Sequence, residues 1–187
     1  MRAATLALLT GLGTLLSGCA GPEVRDYASE QPSLDLRRYF DGDLIAHGLF
    51  SDRSGQVQRR FVVQMKARWQ GDQGTLEEDF RYSDGQTERR VWHLTRLADG
   101  RYVGRAADVI GEAEGESAGN ALRWRYTLDL PVGERRYAVQ FDDWMFLMDD
   151  QTLLNRATMS KFGLRLGEVT LAFRKLPPHE AQQSTDP

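Results

Sequence analysis

The string Gly115-Glu116-Ser117-Ala118-Gly119 has the residue types of a hydrolase nucleophile elbow. That motif requires a serine on a sharp turn between a parallel strand and a helix, beside a histidine and an oxyanion hole. Here the string lies among alternating apolar and polar residues, and the only histidine that follows it is His179, in a polar C-terminal segment. We therefore predict that Ser117 is not a nucleophile, that the protein is not an enzyme, and that it has no catalytic residue.

Acidic side chains raise the possibility of a metal site. Glu112, Glu114 and Glu116 alternate along one predicted strand and share a face, where like charges repel one another. The pairs Asp142-Asp143 and Asp149-Asp150 bracket an apolar segment, but their spacing is not that of a calcium loop. The histidines have no partner at ligand spacing. We predict a solvated acidic face, acidic pairs that act as turns or caps, and neither a metal nor a cofactor.

The aromatic side chains are the feature that points to a ligand. In a small barrel, large aromatic residues either fill the interior or line a cavity for one small molecule. The sequence allows both interpretations. Asn155 and Arg156 follow the second acidic pair, and they either cap the barrel or bind an anionic headgroup. The predicted ligand-binding residues are Trp124, Tyr126, Trp144, Asn155 and Arg156.

Strands are predicted to position these side chains, because apolar residues recur with period two. Turn signals such as Asp84-Gly85 and Asp99-Gly100 separate the alternating runs, as in consecutive hairpins. Two segments, 34–40 and 152–161, are predicted to be short helices. The predicted strands are 44–52, 57–70, 76–83, 87–97, 101–107, 110–118, 121–131, 135–141, 144–148 and 166–175.

This order of elements predicts an all-β fold. The antiparallel meander favours a lipocalin-like barrel of about 8–10 strands over a sandwich, because closure removes the sheet edges. Gly104, Gly111 and Gly115 lie inside the strand pattern, where we predict bends or bulges at barrel corners.

The N-terminal segment ends in a sequence that predicts covalent modification. Its apolar run, about fourteen residues, is shorter than the roughly 20 that a membrane-spanning helix needs, and it leads into Leu16-Ser17-Gly18-Cys19. The pattern resembles the signal of bacterial lipoprotein precursors. This resemblance implies cleavage before Cys19 and attachment of lipid to its sulfur. By the same resemblance, Ala20 implies sorting to the outer membrane, with the domain facing the periplasm.

The remaining composition sets limits on organisation and partners. The chain has a net charge of -3 with both signs interleaved and no basic tract, which argues against a nucleic-acid partner. Its one cysteine leaves no disulfide once lipidated. We predict a signal peptide over 1–18, a lipidated flexible tether over 19–34, one barrel domain over 35–176 and a disordered tail over 177–187.

Several segments between Asp35 and Lys175 carry a family resemblance. They are Arg60-Phe61, 75–80, 82–85, 120–126, 142–145 and 154–163. With these segments the chain resembles the Gram-negative lipoprotein family catalogued as domain of unknown function 3833. The resemblance implies no particular activity and fixes no catalytic residue.

Two functions follow as hypotheses. The first is a lipoprotein anchored to the outer membrane whose barrel holds a lipid-like or other apolar small molecule. The second is a structural or interaction scaffold of the cell envelope, with a protein partner and without a ligand. A cavity above roughly 300 Å³ would favour the first hypothesis, and a filled interior would favour the second.

Overall fold

Ten antiparallel strands form a closed barrel. In the computed structural model, which describes residues 21–177, each strand pairs with its neighbours in sequence, and β1 pairs with β10. This arrangement confirms the predicted meander and lipocalin-like barrel. The strands are β1 Gly42–Asp52, β2 Val57–Gln70, β3 Gln73–Tyr82, β4 Thr87–Arg96, β5 Arg101–Arg105, β6 Ala113–Ala118, β7 Ala121–Val132, β8 Arg135–Leu147, β9 Thr152–Lys161 and β10 Leu164–Lys175.

Two predicted elements differ in the structure. The helix predicted over 152–161 is wrong, because these residues form strand β9. Its inward positions include Asn155 and Ala157, a polar and a small residue, while Leu154 faces solvent, so the alternation is weak in the sequence. The predicted break between 141 and 144 is also absent, since β8 runs through Asp142-Asp143 without interruption.

The helix predicted over 34–40 is confirmed as α1, Leu36–Tyr39, which closes one end of the barrel. Asp35 caps it, accepting a hydrogen bond from the Arg37 amide at 2.9 Å. Tyr39 and Phe40 are buried at this closed end. The Trp69 indole donates to the Phe40 carbonyl at 2.7 Å. The opposite end, where the β1–β2, β3–β4, β7–β8 and β9–β10 turns lie, is the mouth.

The segment from Val24 to Leu34 does not form the predicted flexible tether, because it packs against the barrel wall. A 3-10 helix, Val24–Tyr27, buries Val24. The Tyr27 ring meets Trp144 edge-on at 5.8 Å and Phe146 at 5.1 Å on the outside of β8. The Leu34 amide donates to the Gly119 carbonyl at 2.7 Å. The outward aromatic residues of β8 provide the apolar surface that holds this segment. Residues 1–20 and 178–187, with Cys19 and the predicted tail, lie outside the described residues.

Two of the strand glycines make room for a tryptophan inside the barrel. A methyl group at Gly104 would lie 2.5 Å from Cζ2 of Trp124, and one at Gly115 would overlap the same ring. The bends predicted at these two positions are therefore not needed to explain them. Gly111 differs, since it lies in the β5–β6 connection with a φ of 75°.

This packing predicts the outcome of a double-mutant cycle. Gly115→Ala should lower the free energy of unfolding by about 1–3 kcal/mol, because the added methyl group overpacks against Trp124. In a Trp124→Leu background the same substitution should cost clearly less. Chemical denaturation of the four chains measures both effects. Glu116→Ala, the adjacent outward position, is the control, and equal costs in both backgrounds would contradict this account.

Candidate functional site

A cavity of about 630 Å³ lies inside the barrel. This volume is within the range of small-molecule sites, roughly 300–1,000 Å³. The wall includes residues of the mouth, such as Val132 and Leu166, and its inner part reaches Leu36 and Phe40 at the closed end. The barrel interior is therefore not filled by its own side chains.

Aromatic rings form much of the cavity wall, and they contact one another in defined geometries. Trp92 meets Trp124 edge-on at 5.8 Å and Tyr126 at 5.5 Å. Tyr126 stacks on Phe141 with centroids 5.0 Å apart and planes 10° apart. Such mutual contacts hold the rings in place, so they present a preformed apolar surface to a bound molecule.

A group of polar side chains lies within this apolar wall. Glu78, Asp143 and Asn155 are the buried polar or charged residues of the described chain, with exposed fractions of 9%, 6% and 2%. Arg90 and Tyr126 line the same cavity. Glu78 is on β3 opposite Arg90 on β4, while Asp143 and Asn155 come from β8 and β9. We call these five residues the polar floor.

Arg90 is held by acidic residues on several sides. Its Nε atom donates to both carboxylate oxygens of Asp108, at 3.2 and 2.9 Å, and its Nη2 atom donates to Glu88 at 3.1 Å. Its Nη1 atom lies 3.8 Å from Glu78. The guanidinium charge is therefore already neutralised by the protein itself.

Asp143 and Asn155 have unmet hydrogen-bonding capacity. Within residues 21–177, Asp143 Oδ1 and both polar side-chain atoms of Asn155 are buried without a hydrogen-bond partner. The Tyr126 hydroxyl donates to Asp143 Oδ2 over a long 3.5 Å. Leaving such groups unpaired costs free energy. Burial, with the nearby charge of Asp142, raises the pKa of Asp143 to about 8.

Glu78 has a similar environment. Its Oε2 atom is buried and has no hydrogen-bond partner among the described residues. Burial raises the pKa of Glu78 to about 7, although the positive charge of Arg90 opposes this shift. Two buried carboxyl groups of one cavity thus change protonation state near neutral pH.

The mouth has its own polar contacts and apolar tips. The Arg59 guanidinium lies 3.5 Å from the centroid of the Tyr82 ring and donates to Asp84 at 2.8 Å. The Tyr82 hydroxyl donates to Glu88 at 2.8 Å. Exposed apolar residues of the turns and strand ends at the mouth are Val57, Ile110, Val132, Phe162, Leu164 and Leu166.

The structure separates the five residues predicted to bind a ligand. Trp124, Tyr126 and Asn155 line the cavity. Trp144 and Arg156 face outward, because they follow inward residues on β8 and β9. Trp144 packs under Tyr27, and the Arg156 side chain lies 3.6 Å from Glu168.

Glu78, Arg90 and Asp143 are not among the residues predicted from the sequence to bind a ligand. The signal that could have identified Glu78 and Asp143 is their position in the strand alternation, on the inward-facing side. Asp143 alternates in register with inward Phe141, and Glu78 lies between inward Leu76 and Phe80 on β3. Asp143 was instead grouped with its neighbour Asp142, which faces outward and pairs with Arg123.

The other sequence candidates have structural partners. Ser117 lies at the end of β6 next to a hairpin, and its hydroxyl donates to the Gly100 carbonyl at 3.2 Å, a geometry unlike a strand-to-helix elbow. Asp149 accepts from the Gln151 and Thr152 amides at 2.8 and 2.7 Å, as a turn cap.

In the described part of the chain, no group of three acidic, histidine or cysteine side chains is placed to hold a metal ion. Between residues 21 and 177 no helix has the length and apolar character to cross a membrane.

Comparisons with known proteins identify the family of the chain and a solved structure of similar fold. A family model described as "Protein of unknown function (DUF3833)" matches residues 13–175, which confirms the resemblance seen in the sequence. No curated protein matches significantly. The S-type phycobiliprotein lyase CPES from Guillardia theta has a similar fold, with a TM-score of 0.59 and 6% identity over 83% of this chain and 99% of that chain. A de novo designed fluorescence-activating β-barrel gives a TM-score of 0.43 and 12% identity over 76% of this chain and 99% of that chain.

The raised pKa of Asp143 predicts how stability depends on pH. Because the pKa is about 8 in the folded state and near 3.8 ordinarily, the folded chain binds this proton more tightly, and stability falls as pH rises from about 5 to 8. One such group contributes at most about 1.4 kcal/mol per pH unit. Asp143→Asn should flatten the decline in the free energy of unfolding, measured by urea titration at several pH values. Asp129→Asn, at an outward carboxylate of β7 that does not act on Asp143, should keep the native slope, and an unchanged slope in Asp143→Asn would contradict the assignment.

Proposed function

This chain belongs to the family described as protein of unknown function DUF3833, and we propose that its barrel binds one apolar small molecule in the central cavity. The observation that carries the proposal is an open volume of about 630 Å³ lined by aromatic side chains. A barrel that served only as a scaffold would gain stability by filling this space, because unfilled apolar volume costs packing energy. The position of the mouth gives a ligand a route into the interior.

The route of entry is supported by the residues around the mouth. Phe162 is 89% exposed and Leu164 is 71% exposed, both at the β9–β10 turn. Phe162 also has a φ of 53°, a conformation that is uncommon for a bulky residue. Apolar tips at the mouth provide a surface along which an apolar molecule passes between its source and the cavity. They also favour the second candidate function, an envelope scaffold, in which these tips contact a protein partner.

Binding of a neutral fluorescent probe tests the proposal. N-phenyl-1-naphthylamine should bind the purified full chain with a stoichiometry of one and with increased fluorescence, because the cavity excludes water. Ala157→Trp should weaken binding at least about tenfold by filling the cavity, whose lining includes Ala157. Arg156→Trp, on the opposite face of the same strand, should bind as the native chain does. Absence of probe binding to the native chain would refute the proposal and leave the scaffold function.

We also propose that the protein is a lipoprotein of the outer membrane with its domain in the periplasm. Support comes from the sequence Leu16-Ser17-Gly18-Cys19 after an apolar run, and from Ala20 after the cysteine. Two or more acyl chains give stable membrane attachment, whereas one gives marginal attachment.

Fractionation of cells tests the anchor. In a Gram-negative host the native chain should incorporate labelled palmitate and sediment with outer membranes. Cys19→Ser should lose the label and appear in the soluble fraction. Ser17→Ala keeps a small residue before the cysteine and should behave as the native chain does. Recovery of unlabelled native protein from the cytosol would contradict the proposal.

A further inference from the structure

We propose that the ligand carries a hydrogen-bond donor group, preferentially a protonated amine, that pairs with Asp143 and its neighbours in the polar floor. This inference rests on the proposed function, since it assigns the chemical class of the molecule in the same cavity. It selects an apolar body with a cationic head over an anionic lipid.

The unpaired atoms of the polar floor favour a donor. Three buried acceptor atoms of the polar floor have no hydrogen-bond partner in the described chain, although Arg90 lies 3.8 Å from the first of them: Glu78 Oε2, Asp143 Oδ1 and Asn155 Oδ1. Among the polar-floor residues one donor atom, Asn155 Nδ2, is in the same condition, and Asn155 acts on Asp143. When Asp143 and Glu78 are ionised, at about pH 8 and above, a ligand that offers N–H groups satisfies the excess of acceptors, whereas a carboxylate or phosphate adds acceptors to a site that already has too many.

The cations of the cavity wall, Arg90 and Arg59, already pair with carboxylates. Arg90 contacts three carboxylates, and its closest one, Asp108, faces it with both oxygens. Arg59 pairs with Asp84 and Gln86 at the mouth, although its buried Nε atom has no partner within residues 21–177. An anion would have to displace these pairs, at a cost in charge-assisted hydrogen bonds.

The charges near Asp143 make cation binding dependent on pH. The groups that act on Asp143 directly are Asp142 on β8, Tyr126 on β7, Arg90 on β4 and Asn155 on β9. Glu78 on β3 and Asp108 in the β5–β6 connection act on Tyr126, its neighbour. Asp143 must ionise to pair with an ammonium group, so amine binding releases a proton when pH is below about 8. Affinity for the amine should therefore fall as pH decreases, by up to about tenfold per pH unit for one proton.

Three ligands with the same dodecyl group and different head groups test the inference. Dodecylammonium, dodecanol and dodecanoate compete with N-phenyl-1-naphthylamine for the full chain at about pH 8. Dodecylammonium should displace the probe at about tenfold lower concentration than dodecanol, because a charged hydrogen bond forms in a buried site. Dodecanoate should be the weakest of the three. At about pH 6 the advantage of the amine over the alcohol should shrink, while the alcohol should bind as before.

Variants of the polar floor test which residues cause the preference for the amine over the alcohol. Asp143→Asn, or Glu78→Gln if the first variant folds poorly, should reduce the ratio of amine to alcohol affinity toward one. Asp129→Asn, on the outer wall of β7 and without effect on Asp143, should keep the native ratio. If the probe binds and dodecanoate has an affinity equal to or higher than that of dodecylammonium, the inference is overturned and the proposed function stays intact. If neither the probe nor any of the three dodecyl ligands binds, both this inference and the proposed function are overturned.

Discussion

Closure of the sheet between β1 and β10 is the constraint on which the other features depend. Once the sheet is closed, each strand residue faces either the interior or the outside, and its parity along the strand decides which. Asp142 and Asp143 show the effect, because adjacent residues of the same type have opposite environments. Asp142 pairs with Arg123 on the outer wall, and Asp143 is buried among aromatic rings. A shift of one residue in register would exchange them.

The interior combines two properties that reduce stability when no ligand is present. It encloses unfilled apolar volume, and it buries carboxyl and amide groups without partners. Each of these costs free energy that an apolar filling would save. Both occur in the same space, where one molecule of matching shape and polarity would offset both costs. The outer wall lacks this uncovered apolar surface at β8, because Tyr27 covers Trp144 there.

The fold was largely predictable because alternation is a strong signal wherever inward residues are large. The pattern from Leu122 to Leu130 on β7 is an example, and its inward side lines the cavity. The signal failed on β9, where the inward positions hold Asn155 and Ala157. The polar floor was not predictable from residue types alone. A charged residue at a position where the alternation predicts an inward apolar residue is also compatible with a bulge or a change of register. Which strands meet across a barrel is decided by long-range pairing, and this placed Glu78 beside Arg90.

The packed N-terminal segment lies at the end of the barrel opposite the mouth. Its 3-10 helix lies beside the β6–β7 turn, near the end that α1 closes. Four residues separate Cys19 from Val24, the first buried residue of the docked segment, a reach of roughly 17 Å when extended. An acyl group at that cysteine would attach the barrel to a membrane near its closed end. The open rim would then point away from the anchoring bilayer, toward whatever molecules approach from the aqueous side.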